Sequence, residues 1–143
     1  MSPQEMKLCV RRLAEEVFTQ GDLAVIDELV ADDYVDHVPV LPEGSGLAGL
    51  KGWVTTLRRT FPDLHLIVED EIAEVDRVVS RITVHGTHAG ELLGIAPTGR
   101  QVTFGLIDIN RVGSDGRIVE HWAVVDTLSL LVQLGALPAN AAA

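Results

Sequence analysis

The sequence predicts an α+β fold in which an antiparallel sheet packs against helices on one of its faces. Apolar positions recur at helical spacing through the first sixty residues, the period changes to two from Asp63 onward, and the strand-like runs are joined by connections of hairpin length. Strands this long must twist and curl, so they can cover helices packed on one side.

Met6, Val10, Leu13 and Val17 form the apolar stripe of a first helix, with Arg11, Arg12, Glu15 and Glu16 turned outward. Gly21 ends it, and Asp22 is the expected N-cap of a short second helix through Val30. The segment 31–49 holds two prolines and three glycines and reads as an irregular connection carrying Tyr34, Asp36 and His37. Leu50, Trp53, Val54 and Leu57 mark a third helix that stops before Pro62. Leu64, Leu66 and Val68 share one face of a first strand, and Val78, Ile82 and Val84 one face of a second, reached by a turn near Asp76. A third run covers 101–112. After Gly113-Ser114-Asp115-Gly116, a fourth covers 117–125 and leads into a short helix, 128–134, closed by Gly135 and Pro138. Residues 139–143 are expected to fray. Neither a repeat nor a linker divides the chain, so residues 1–143 read as one domain, long enough to bury about 68–70% of its unfolded surface.

The composition narrows the function classes. With 47% hydrophobic residues the chain is globular, and its formal charge of −10 opposes binding to nucleic acid or anionic membranes. The apolar runs are too short to span a bilayer, and Ser2-Pro3-Gln4-Glu5 does not open a signal peptide, so a cytoplasmic location is expected. The lone Cys9 lies on the first helix's apolar stripe and reads as a small core residue. No Walker or dinucleotide motif occurs, and the five histidines show no metal-ligand spacing, so neither cofactor nor metal is expected.

Strand parity sorts the residues that could carry chemistry. Asp108 shares a face with Val102, Phe104 and Leu106, which directs it inward. A carboxylate among aliphatics must be hydrogen-bonded or kept for a purpose, and desolvation would raise its pKa into the range of a general acid or base. His88 continues the face of Ile82 and Val84, whereas His85 falls opposite with Arg81, and His65 lies among charged neighbours. Each of these inward residues also has a structural reading: His88 as a satisfied core histidine and Asp108 as a carboxylate fixed by Tyr34 or an arginine. Asp126 stands where the last helix needs an N-cap, and it is also a second candidate carboxylate. Trp53 and Trp122, two of only six aromatic residues, suit either the core or the flat wall of a pocket. Glu120, His121 and Trp122 alternate faces, so His121 and Trp122 cannot both point inward without a bulge.

Four glycines, Pro97 and His88 crowd the stretch 86–99 between two strands. Together with Glu120-His121-Trp122 and Gln133-Leu134-Gly135, this stretch resembles the SnoaL-like polyketide cyclases over nearly the whole chain. The resemblance implies the NTF2-like fold, a cone-shaped sheet wrapped round helices with a deep pocket inside. It also implies a cofactor-independent enzyme of secondary metabolism that closes rings by an intramolecular aldol reaction on a small hydrophobic, polyketide-like substrate, working as a homodimer. An outer sheet face bearing Thr103, Ile107 and Ile109 agrees with the dimer. In those cyclases an acidic residue two positions after the last-strand histidine is the acid/base catalyst, and Ala123 stands there in this chain. Their penultimate strand carries a histidine at the place of Asp108 and a glutamine at that of Leu106.

Alanine cannot transfer a proton, so either the carboxylate has moved to Asp108 or Asp126 or the reaction differs. The candidate catalytic residues are therefore Asp108, His88, His37 and Asp126. The candidate substrate-binding residues are Tyr34, Trp53, Phe104, Leu106, Trp122 and Ala123. Two other functions fit the same fold: a hydrolase of the limonene-epoxide type using Asp108 with Asp126, and a non-catalytic ligand-binding module, which the alanine favours.

Overall fold

The computed structural model describes residues 1–38 and 46–142. Helix α1 (Pro3–Arg12) starts on a capping box. The Glu5 amide donates to Ser2 Oγ at 3.1 Å, the Ser2 amide donates to Glu5 Oε2 at 2.6 Å, and Pro3 occupies the first turn. It continues as a π-helix, Leu13–Thr19, before Gly21 turns the chain at φ 79°. The widened turn is held from outside. Arg58 donates to the carbonyls of Phe18 and Thr19, both at 2.7 Å, and Thr19 Oγ1 accepts the Leu66 amide at 3.0 Å.

Helix α2 (Ala24–Leu29) begins at an N-cap held by Leu23, and Asp22 Oδ1 accepts the Ala24 amide at 3.2 Å. Asp22 thus serves the helix start from one residue before the position expected for it. Helix α3 (Leu47–Thr60) ends two residues ahead of Pro62. Its terminal carbonyl, Thr60 O, accepts the amides of Ala89 and Gly90 at 2.9 and 3.0 Å. Two glycines permit this approach. A Cβ on Gly86 would lie 2.8 Å from Phe61 Cβ, and one on Gly90 would lie 2.8 Å from Arg59 O.

The sheet has five strands: β1 (Val30–Asp36), β2 (His65–Glu74), β3 (Arg77–Thr87), β4 (Gln101–Val112) and β5 (Ile118–Val125), in the order β1-β5-β4-β3-β2. All neighbours are antiparallel except β1, which runs parallel to β5. Strand β1 corrects the sequence reading of an irregular connection over 31–49, of which residues 39–45 lie outside the described residues. It is an edge strand whose register shifts between Val30 and Val35, and three aspartates among its seven residues hide the strand pattern. Bulges at Val68/Asp70 and Arg111/Val112 add curvature, and the sheet wraps the helices as the NTF2-like cone. The chain closes with helix α4 (Thr127–Gln133), and residues expected to fray form a 3₁₀ turn, Ala139–Ala142.

Two apolar clusters fill the cone. One joins Val10, Val17, Ile26 and Val54 of the helices to Val78 and Ile118 of the sheet. The other joins Phe61 and Leu64 to Ile82, Val84, Phe104 and Leu130. Cys9 is buried in the first cluster, as expected. On the convex face Ile107 and Val124 oppose one another in register, 52% and 79% exposed. No helix among the described residues is long and apolar enough to cross a membrane.

Candidate active site

A cavity of about 240 Å³ lies between the helices and the concave face of the sheet. Its walls come from every layer: Leu13 and Phe18 of the first helix, Trp53 and Leu57 of α3, Phe104 of β4, and Leu92 of the β3–β4 loop. Apart from Thr127 and the indole of Trp53, the polar side chains on its wall among the described residues are Tyr34, Asp36, Asp108 and His121.

Those four form one hydrogen-bonded chain. Tyr34 Oη donates to Asp36 Oδ2 at 2.9 Å, and the Val38 amide donates to Asp36 Oδ1 at 3.0 Å. His121 bridges two carboxylates, with Nδ1 3.1 Å from Asp36 Oδ1 and Nε2 3.3 Å from Asp108 Oδ2. Asn110 Nδ2 donates to the same Asp108 oxygen at 3.1 Å. The side chains are enclosed: Asp36 is 5% exposed, Asp108 10% and His121 20%.

Strand geometry explains the meeting. Asp36 of β1 and Asn110 of β4 both stand opposite His121 of β5, and Asp108 stands opposite Ala123 two rungs along, on the same face. Residues two apart on a strand share a face, so His121 and Ala123 both look inward while Glu120 and Trp122 look outward.

Both nitrogens of His121 face oxygens that can only accept, which calls for an imidazolium donating from each. Burial pulls the His121 pKa down, but hydrogen bonds to Asp108 and Asp36 and the charges of both carboxylates outweigh it and push it up to about 9. Burial acts against ionised Asp36, yet the bonds from His121, Val38 and Tyr34 win and hold its carboxyl below the usual range. Burial and the neighbouring Asp36 charge push the Tyr34 hydroxyl well up, so Tyr34 remains a neutral donor.

Of the residues singled out from sequence, Asp108, Tyr34, Trp53, Phe104, Leu106 and Ala123 line this cavity, and His88, His37, Asp126 and Trp122 do not. His88 is fully buried on the face that parity assigns it, but it packs on Phe61 with ring centroids 6.3 Å apart, and Phe61 takes the place on the wall. Its Nδ1 accepts the Thr98 amide at 3.2 Å and lies 3.0 Å from Thr98 Oγ1, tying down the β3–β4 loop. His37 follows Asp36 and so faces outward. It stacks on Trp122 (4.8 Å, 8° between planes) with Nε2 2.8 Å from Glu120 Oε2, and Arg77 covers the same indole at 5.8 Å. Asp126 Oδ1 accepts the Ser129 amide at 3.1 Å and caps α4.

The sequence reading left Asp36 and His121 out of the site. Parity held the signal for His121, because placing Ala123 inward places His121 inward as well. Asp36 becomes visible only once β1 is recognised as a strand, with Tyr34 and Asp36 on one face.

Residues 8–134 match the family of SnoaL-like polyketide cyclases. The chain belongs to this family. Nogalonic acid methyl ester cyclase of Streptomyces nogalater is 31% identical over 124 residues, covering 82% of this chain and 89% of that one. Among solved structures, TsrD from Streptomyces laurentii superposes with a TM-score of 0.88 at 30% identity, over 96% of this chain and 99% of its own. AclR from Streptomyces galilaeus, described as a candidate hydroxylase, gives 0.81 at 36% identity, over 96% and 85%. Within the SnoaL-like frame, this chain's cavity is lined by two carboxylates sharing one histidine.

Proposed function

We propose that this SnoaL-like protein is a cofactor-independent enzyme that binds an apolar, poly-carbonyl substrate of polyketide type and closes a ring by an intramolecular aldol reaction. The observation that carries this reading is a carboxylate, Asp108, set on the wall of a mostly apolar cavity beside the His121 imidazolium. The two carboxylates differ in the donors they hold. Asp36 takes three on two oxygens, whereas both side-chain donors to Asp108 fall on Oδ2 and leave Oδ1 without a protein partner, free to exchange a proton. Asp108 is therefore the base, and Asp36 positions His121.

In the reaction, Asp108 takes a proton from the carbon between the substrate's carbonyl groups. The resulting enolate attacks a second carbonyl carbon and forms the new C–C bond. Asp108 then returns the proton to the alkoxide. The positive charge on His121 stabilises each oxyanion in surroundings that exclude water, and the cavity folds the chain so that the two carbons meet. Dehydration or isomerisation would draw on the same proton transfer.

The register supports this assignment. The resemblance puts the family's acid at Ala123, and Asp108 is its direct cross-strand neighbour, so a carboxylate on the facing strand reaches into the same part of the cavity. The Asp108–Asp126 pair that an epoxide hydrolase would need is not assembled, because Asp126 caps α4.

Incubation with nogalonic acid methyl ester, the compound named for the S. nogalater relative, tests the reading, with α-tetralone in heavy water as a simpler enolisable probe. Ring closure of the ester, or deuterium uptake next to the tetralone carbonyl, is expected. Rates no higher than those of Asp108→Asn on both compounds would overturn it.

A further inference from the structure

Five buried side-chain atoms among the described residues have no hydrogen-bond partner, and four of them belong to neighbours: Glu71 Oε2, Ser80 Oγ, Asp108 Oδ1 and Asn110 Oδ1. Glu71 stands opposite Ser80, and Ser80 opposite Asp108, so the three form one rung across β2, β3 and β4. Directly opposed residues point to one face with Cβ atoms about 4.5–5.5 Å apart. Asn110 joins them through its bond to Asp108. Ser80 and Asn110 are 0% and 1% exposed, and the Glu71 side chain 2%.

Donor counting shows what the group lacks. Glu71 Oε2, Asp108 Oδ1 and Asn110 Oδ1 are acceptors, and the Ser80 hydroxyl is the one donor among the four. Two acceptors are left over. A single water supplies two donors, and a buried water typically makes about three hydrogen bonds to such groups.

We propose that Glu71, Ser80, Asp108 and Asn110 hold an ordered water that connects Asp108 to the protein surface and carries its proton to and from solvent. The inner end is the carboxylate on the cavity wall. The outer end is Glu71, whose Oε1 pairs with the half-exposed guanidinium of Arg11 on α1. A proton on Asp108 Oδ1 passes to the water, the water gives one of its own to Glu71 Oε2, and Glu71 releases it to solvent beside Arg11. The reverse sequence restores the acid. An apolar substrate filling the cavity seals Asp108 from solvent on that side, and this rung provides a route on the other. The proton-carrying role rests on the reading of Asp108 as the base; the water site does not.

Two measurements on the substrate-free protein test the proposal, so its failure is distinct from failure of the proposed reaction. Neutron diffraction should show a water within hydrogen-bond distance of at least three of the four atoms. Protonated carboxyls paired directly, or a cation ringed by oxygens, would overturn the site. In NMR spectra with isotope-labelled histidine, saturation transfer from water reads how fast each His121 ring proton exchanges. Ser80→Val fills the water's place, and Glu71→Gln removes the outer acceptor. Each should slow exchange of the Nε2 proton, which faces Asp108, by about fivefold, the scale of one hydrogen bond's net contribution. The Nδ1 proton, which faces Asp36, should be unaffected, and Ser80→Ala, with room for a second water, should stay near wild type. Equal exchange in all variants, or equal slowing of both ring protons, would overturn the relay.

Discussion

Raising the pH from 6.5 to 9 should weaken the fold markedly, through His121. The folded protein holds this imidazolium between Asp36 and Asp108 and lifts its pKa from 6.5 to about 9. In the unfolded chain the same ring loses its proton near 6.5. A group whose folded pKa is raised contributes its full stabilisation below the unfolded value and loses it as pH climbs to the folded one. Each unit corresponds to about 1.4 kcal/mol, so the window represents about 3 kcal/mol, a large share of a typical domain's 5–15 kcal/mol. With a urea m-value of about 2 kcal/mol/M, the unfolding midpoint should fall by about 1.5 M across the window. Asp36 does not interfere, because its depressed pKa acts only in acid. The window closes at 9 because burial pushes the Cys9 thiol up to about 11, which adds a separate loss at higher pH. Urea titrations at half-unit intervals on wild type and His121→Gln provide the comparison. The variant should be less stable at pH 6 and nearly flat across the window. Parallel slopes for the two proteins would refute the reasoning.

Asp108→Asn keeps the side chain's size and removes its titrating proton, so turnover should drop by ~10²-fold or more with KM nearly unchanged, read from steady-state kinetics on a compound found active. Asp126→Ala removes the α4 cap and should cost about 1 kcal/mol in urea unfolding, with the rate per folded molecule retained. We also propose a homodimer through the convex face. Wild type should sediment as a dimer at micromolar concentration and Ile107→Lys as a monomer, and a monomeric wild type would count against this face as the interface.

The antiparallel strands were legible because β3 and β4 alternate cleanly and glycines mark the connections that follow them. Strand β4 spans the residues that the period-two pattern marks. The inward direction of Asp108 followed from the same alternation, since no bulge interrupts β4 between Phe104 and Asn110. Strand β1 was not legible. It is paired on one side only, parallel to a partner more than eighty residues away, and carries exposed Asp32 and Asp33. Local pattern cannot report a pairing of that range. With β1 hidden, Asp36 passed for a loop residue, and His121 lost the neighbour that explains it. His88 shows the other limit of parity: period two tells which face a side chain takes, and a large neighbour such as Phe61 decides whether it reaches the cavity.

For the proposed aldol reaction, the cross-strand pairing of Asp108 with Ala123 has a consequence for regiochemistry. Neighbouring strands lie about 4.8 Å apart, so a base carried by β4 approaches a ligand from a point displaced by that distance relative to one carried by β5. Along a fused-ring or folded poly-carbonyl chain, such a step is enough to bring a different carbon against the carboxylate while the rest of the molecule keeps its place. The choice of strand for the carboxylate is thus a way to select which C–H bond is broken, with the cone and its apolar walls left unchanged.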